Sequence, residues 1–137
     1  MEKKEIRKAN GDVCFEAYLL PGNSYICVHW MGVQSLETMV MGGSHLLSML
    51  RELPCRAILN SNQELVGPWD DGAFYLAYKW APAAASLGLH YFAHVLSPGI
   101  FGRRSFEKFK QHQKSALLLR AFENDELAQD WLLMHQL

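Results

Sequence analysis

Residues 56–60, Arg-Ala-Ile-Leu-Asn, and residues 90–96, His-Tyr-Phe-Ala-His-Val-Leu, bracket the stretch that decides the fold. Both read as short apolar strands. Between them, residues 69–87 run through Trp69, Phe74, Tyr78 and Trp80, long enough for a crossover helix. Two strands joined this way lie parallel, which puts the chain in the α/β class. Open sheets of that class bind ligands beyond the carboxyl ends of their strands. Asn60, Ser61, Asn62 and Ser97 occupy those positions.

Upstream, residues 14–20 alternate Phe15, Ala17 and Leu19 against Glu16 and Tyr18. After the turn residues Pro21-Gly22-Asn23, residues 24–30 set Ile26, Val28 and Trp30 against Tyr25, Cys27 and His29. This pattern predicts an antiparallel hairpin. Ser35 reads as an N-cap with Glu37 in the first turn, opening a helix over residues 35–53. Its inward stripe reads as Leu36, Met39, Val40, Gly43, Leu47 and Leu50. Gly42 and Gly43 each cost about 1 kcal/mol relative to Ala in mid-helix. Either a neighbour approaches closely there or the helix is locally weak.

Downstream, residues 61–68 read as a loop, and Pro68 with Asp70 and Asp71 suits a helix start. Pro82 is expected to kink or split that helix, and Gly88 to end it. The strand at 90–96 is the most continuously apolar, so it reads as central. Ser97-Pro98 opens a short turn. A helix from about Ser105 points Phe106 and Phe109 inward and Lys108, Lys110 and Lys114 outward. Residues 117–122 form a last strand, and Asn124 caps a final helix through Asp125, Glu126, Leu127, Trp131 and Met134. Residues 1–11 read as a polar tail. The order is ββαβαβαβα: a hairpin feeding three right-handed crossovers, in one domain over residues 1–137. A five-stranded mixed sheet with its first strand antiparallel is the economical solution.

The chain has 137 residues and a net charge of −1, which gives no broad field for nucleic acid or an anionic membrane. Its longest mostly apolar stretch, residues 80–89, is too short to span a bilayer and contains Pro82 and Gly88. No apolar run follows the basic residues near the start, so a signal peptide is not expected and the protein reads as cytoplasmic. Cys14, Cys27 and Cys55 are an odd set without a close pair, expected to be buried, reduced thiols.

No nucleophile elbow, recognisable Cys-His motif or phosphate-binding loop is present, so no catalytic residue is assigned. His90 and His94 are four apart on a strand, roughly 13 Å, too far to chelate one ion. No metal or other cofactor is expected. Arg103, Arg104, Lys108, Lys110 and Lys114 read as a solvated helix face without interleaved stacking aromatics. The stronger signal is aromatic. Trp30 ends a strand, Trp69 starts a helix and Phe101 follows the Ser-Pro turn, so these converge near one sheet edge with Asn60, Asn62, Asp70 and Ser97. Trp80 lies further along the helix and completes the candidate set.

The ordered set Val28-His29-Trp30-x-Gly32, Leu59-Asn60, Gly67-x-Trp69, Trp80-x-Pro82, Gly88-Leu89, Val95-x-Ser97-Pro98, Phe101, Ser105 and Ala128-x-x-Trp131-Leu132 resembles bacterial SpoIIAA-like proteins, also labelled STAS or STAS/SEC14-like. The resemblance spans residues 13–135 and implies the STAS arrangement, a sheet wound as a βα superhelix. The best understood members are antagonists of anti-sigma factors. They bind a kinase partner and are switched by phosphorylation of a Ser in an Asp-Ser-Ser/Thr-Gly motif at a helix start. This chain has Pro68-Trp69-Asp70-Asp71-Gly72 there, without a hydroxyl. Asp70 and Asp71 put negative charge where a phosphate would stand.

The expectation is a non-catalytic regulatory or protein-binding module, with homodimerisation through an exposed helix or edge strand as a further possibility. The alternative is a small apolar ligand or lipid held between the Trp69 helix and the sheet. An enclosed apolar cavity lined by Trp69, Phe74, Tyr78 or Trp80 would mark the second. A filled core with an exposed apolar patch would mark the first.

Overall fold

The computed structural model describes residues 3–135. Among these residues six strands form one mixed sheet in strictly sequential order. They are β1 (Lys3–Arg7), β2 (Val13–Leu19), β3 (Ile26–Val33), β4 (Ala57–Val66), β5 (Tyr91–Val95) and β6 (Leu118–Phe122). Pairing is antiparallel from β1 to β3 and parallel from β3 to β6. The helices are α1 (Leu36–Glu52), α2 (Asp70–Tyr75), α3 (Ala81–Ser86), α4 (Ile100–His112) and α5 (Asp125–Met134).

Crossovers of one hand that advance in one direction stack their helices on one face. Accordingly α1, α2, α3 and α4 cover one face, hereafter the front, over Phe15, Ile26, Val28, Trp30, Ile58 and Phe92. Helix α5 follows the last strand, has no further strand to reach, and folds onto the back over Cys27, Ala57, Leu59, Ala93 and Val95. Both faces of β4 and β5 are therefore buried, which explains their near-continuous apolar runs.

Several expectations need correction. The sheet has six strands rather than five, because residues 3–7 of the supposed tail pair with β2. A single buried apolar residue, Ile6, anchors β1. Its exposed side chains form ion pairs, Lys3 with Glu16 and Arg7 with Glu5, so its sequence looks like a solvated tail. The supposed loop at 61–68 is mostly strand: β4 continues to Val66 because β3 continues to Val33, and the two ends pair Gly32 with Leu65 and Val33 with Val66. Opposite Trp30, β4 carries a bulge, with His29 registered on Ser61 and Met31 on Glu64. Strand β5 is interior but not central, standing one strand from the β6 edge.

Ser35 does cap α1. Its hydroxyl accepts from Thr38 N–H at 3.1 Å while Thr38 Oγ1 accepts from Ser35 N–H at 3.0 Å, a reciprocal box. The buried stripe is Met39, Gly42, Gly43, Leu46, Met49 and Leu50, so Leu36 and Val40 lie outside it, exposed. The two glycines set this rotation. A Cβ on Gly42 would collide with the Trp30 ring, and one on Gly43 would stand 2.8 Å from the Tyr75 hydroxyl and 3.0 Å from Trp80. Close approach, not weakness, accounts for the pair.

Pro82 does not split its helix. The chain widens into a π-helical turn over Leu76–Trp80, where Ala81 N–H reaches back to Leu76 O, and then resumes as α3. The wider turn accommodates a ring that would otherwise crowd a carbonyl one turn earlier. Helix α4 begins at Ile100, five residues before Ser105, from an uncapped Gly99. In the last helix Asn124 Oδ1 accepts from Leu127 N–H at 2.9 Å, as its N-cap reading requires. The buried docking residues there are Ala128 and Leu132, while Trp131 is only half-buried.

Candidate functional site

The carboxyl ends of β3, β4 and β5 and the starts of α1, α2 and α4 form one rim. Its floor is a buried polar chain. Trp30 Nε1–H donates to Asn60 Oδ1 at 2.8 Å, crossing from β3 to β4. The Asn60 amide then faces His94 Nδ1 on β5 at 3.1 Å. Asn60 Oδ1 is engaged by an indole that can only donate, so the amide nitrogen donates to His94. Nδ1 is therefore the acceptor, and the neutral ring carries its proton on Nε2. Burial pushes the His94 pKa down to about 3. The ring is sandwiched in the core, stacked on Phe106 at 4.0 Å, with the Trp69 ring 6.1 Å away.

A second polar chain fixes the start of α2. Trp69 N–H donates to Ser105 Oγ on α4 at 2.8 Å. The Ser105 hydroxyl donates to Asp70 Oδ1 at 2.7 Å, and Lys108 Nζ donates to Asp70 Oδ2 at 2.7 Å. Those two hydrogen bonds, Lys108 first, hold the Asp70 carboxyl below its ordinary range against a smaller opposing effect of burial. Helix α4 thus clamps the Pro68–Gly72 segment from below. Arg103 adds a strut to the next loop: its Nε donates to Ser97 O at 2.9 Å, and its two terminal nitrogens grip Glu123.

Above this floor the rim is open and apolar. Val33 and Val66, paired at the protruding ends of β3 and β4, are 61% and 58% exposed. Leu36 begins α1, and Ile100 and Phe101 begin α4, all exposed. Two open grooves flank the start of α2. One, of about 410 Å³, runs between Leu36, Met39, Pro68 and Asp71. The other, of about 420 Å³, runs between Pro68, Phe101, Arg104 and Lys108.

Of the residues singled out from sequence, the rim gathers Trp30, Asn60, Asn62, Trp69, Asp70, Ser97 and Phe101. Trp80 does not join them. It lies eleven residues beyond Trp69, roughly 16 Å along the helix. There its Nε1–H donates to Gly43 O at 3.1 Å and its ring meets Phe92 edge-on. Trp30, Trp69 and Trp80 are all buried and packed, so they support the rim rather than line an enclosed apolar cavity. Three participants were missed. His94 shares a sheet face with Asn60, a relation readable from the β4–β5 register but not from either strand alone. Ser105 and Lys108 were assigned to a helix without their link to Asp70, because a contact 35 to 38 residues away leaves no local signal.

The back face carries a separate groove of about 300 Å³ between Glu16, His29, Ser61, Glu64 and Asp125. Nearby, Cys27 Sγ lies 3.5 Å from His29 Nε2. Burial pushes the Cys27 thiol up, which keeps it protonated rather than a thiolate nucleophile. A hydrogen bond with Cys27, then burial, pushes the Tyr18 hydroxyl up to about 12. All three cysteines are buried thiols. Among the described residues no group of three or more His, Cys, Asp or Glu side chains is placed to hold a metal ion, and no helix is long and apolar enough to cross a membrane.

Two solved structures share this arrangement. The anti-sigma factor antagonist SpoIIAA in its unphosphorylated form is similar with a TM-score of 0.61 at 9% identity, over 88% of this chain and 98% of that one. An uncharacterized DUF3478-family protein from Shewanella loihica PV-4 is similar with a TM-score of 0.54 at 17% identity, over 96% of this chain and 92% of that one. No family model matches the sequence, and no curated protein matches it. The winding of sheet and helices, shared with both structures, is the SpoIIAA-like α/β fold.

Proposed function

We propose that this chain is a non-catalytic protein-binding module whose contact surface is the rim around the start of α2. The observation that carries this reading is the exposure of Val33, Leu36, Val66, Ile100 and Phe101 at the strand ends and helix starts of this rim. Such side chains gain most from burial against another protein, since apolar surface clustered at one place marks interaction sites. The open grooves on either side of Pro68 suit the ridges of a protein surface better than an enclosed small molecule. A protein of the same fold is an anti-sigma factor antagonist, which supports a protein partner here. Regulation by a phosphate between Pro68 and Gly72 finds no acceptor hydroxyl. Asp70 is moreover tied to Ser105 and Lys108, and Asp71 beside it is exposed.

The test compares Phe101→Glu on the rim with Met134→Glu, an exposed position at the far end of α5. Both variants are expected to keep wild-type stability. In affinity capture from a native cell extract, proteins retained by the wild type should remain with Met134→Glu and be lost with Phe101→Glu. Identical retention by both variants would remove the rim as the contact surface.

A further inference from the structure

Beneath the rim lie four buried side chains, each with a polar atom that no group among the described residues satisfies: Asn62 Oδ1, Trp69 Nε1, His94 Nε2 and Ser97 Oγ. All four residues are at least 95% buried, with Trp69 the most exposed at 4%. Native interiors pair the large majority of such groups, so four at one end of one sheet call for a physical cause.

We propose that Asn62, Trp69, His94 and Ser97 form a buried binding site for one small uncharged hydroxylic molecule, water or a short alcohol. The donor and acceptor pattern specifies that chemistry. The tautomer argument makes His94 Nε2–H a donor, and the Trp69 indole N–H can only donate. Asn62 Oδ1 can only accept, and the Ser97 hydroxyl does either. An oxygen with two lone pairs and an O–H satisfies the two donors and at least one acceptor together. An anion would set its lone pairs against Asn62 Oδ1, and a cation would meet two N–H groups. His94 supplies no charge, because burial keeps it neutral.

Placement supports convergence. Asn60 and His94 are registered neighbours on β4 and β5. Asn62 is two residues beyond Asn60 on β4 and is buried. It enters the bulge opposite Trp30, and bulges re-aim side chains at sites. The Trp69 ring is 6.1 Å from the His94 ring. Ser97 sits three residues past His94 against the first turn of α4, where any side chain on Gly102 would strike its hydroxyl. The same helix holds the Trp69 backbone through Ser105. Water bridges of this kind are integral to folded proteins and typically engage about three partners.

Two measurements test the site. The first is a high-resolution crystal structure of the intact protein purified and crystallised without alcohols or glycols. Density is expected about 2.7–3.2 Å from at least three of the four named atoms, Ser97 Oγ among them. A single spherical peak identifies water, and an elongated one, with matching copurified mass in native mass spectrometry, identifies an alcohol. Finding no density there, or side chains rotated to bond one another, overturns the proposal. The second is the sign of the thermal shift in Ser97→Ala. A bridged hydroxyl predicts a Tm lower by about 3 °C. A merely stranded hydroxyl predicts an unchanged or higher Tm, because deleting an unsatisfied group is neutral or stabilising. That outcome also overturns the site.

Discussion

The two faces of the sheet are built from the same strands by alternate residues, yet they solve different problems. On the front, β4 offers Ile58 and Asn60 and β5 offers Phe92 and His94, meeting Trp69 and Trp80 of one crossover and Phe106 and Phe109 of the next. On the back, β4 offers Ala57 and Leu59 and β5 offers Ala93 and Val95, meeting one helix through Ala128 and Leu132. Ala57, Ala93 and Ala128 let α5 lie close, with the half-buried Trp131 against Tyr91 and Phe122 at its margin. The front buries large aromatics and an asparagine-histidine pair that function only when every partner is placed. Uniqueness of structure is therefore concentrated on the front, and most of the stability should be as well.

The largest expected effect tests this contrast directly. Trp80 is fully buried, meets Phe92 edge-on and donates to Gly43 O. Trp80→Ala should cost about 4 kcal/mol in urea unfolding, within the range for large aromatic deletions. Trp131 on the back is half-buried, touching Tyr91 and Phe122. Its replacement by Ala should cost about 2 kcal/mol, since part of the ring is already in water. Equal losses would mean that α5 contributes as much as the front helices and would end the asymmetry.

The next effect uses acid to load the front face alone. Burial lowers the His94 pKa to about 3, whereas the unfolded chain titrates near 6.5. The unfolded state thus binds the extra proton first. Stability from the neutral ring is complete above about pH 6.5 and falls by about 1.4 kcal/mol per pH unit below it, until the folded protein itself protonates. Between about pH 6.5 and pH 4.5 the loss should be about 2 kcal/mol. Asp70 and Glu123, whose carboxyls are also lowered, contribute their own losses only in more acid solution. His94→Phe keeps the stack on Phe106 and should flatten the profile over that interval. Parallel profiles for the two proteins would show that another group carries the acid sensitivity.

How far the sequence could be read follows the same divide. Alternation exposed both faces of β3, with Trp30 and Val28 opposite Cys27 and His29, because each side chain there answers to one face. The crossover order followed from helix-length spacing. What was hidden depended on partners distant in sequence. Strand β1 was hidden because one buried Ile6 among paired charges gives no periodic signal. The extension of β4 depended on a partner strand of matching length. The rotation of α1 depended on where Trp30 and Tyr75 meet Gly42 and Gly43. At the rim, asparagines and tryptophans were visible as residues past strand ends. Their organiser, His94, looked like one polar interruption in an apolar strand.

The smallest effect separates the inner and outer halves of the clamp on α2. Ser105 is fully buried and satisfies the Trp69 backbone N–H, so Ser105→Ala strands a buried donor. The expected loss is about 1–2 kcal/mol, independent of salt. Asp70 and Lys108 are each 42% exposed at the side chain, where ion pairs are screened and offset by side-chain entropy. Asp70→Asn retains an oxygen for Ser105 and should cost about 0.5 kcal/mol, disappearing at about 1 M salt, where screening acts over about 3 Å. A larger, salt-resistant loss from Asp70→Asn would place the clamp's strength in its charge. The hydroxyl would then be a bystander, and the front face would owe its order at this point to electrostatics rather than to buried hydrogen bonding.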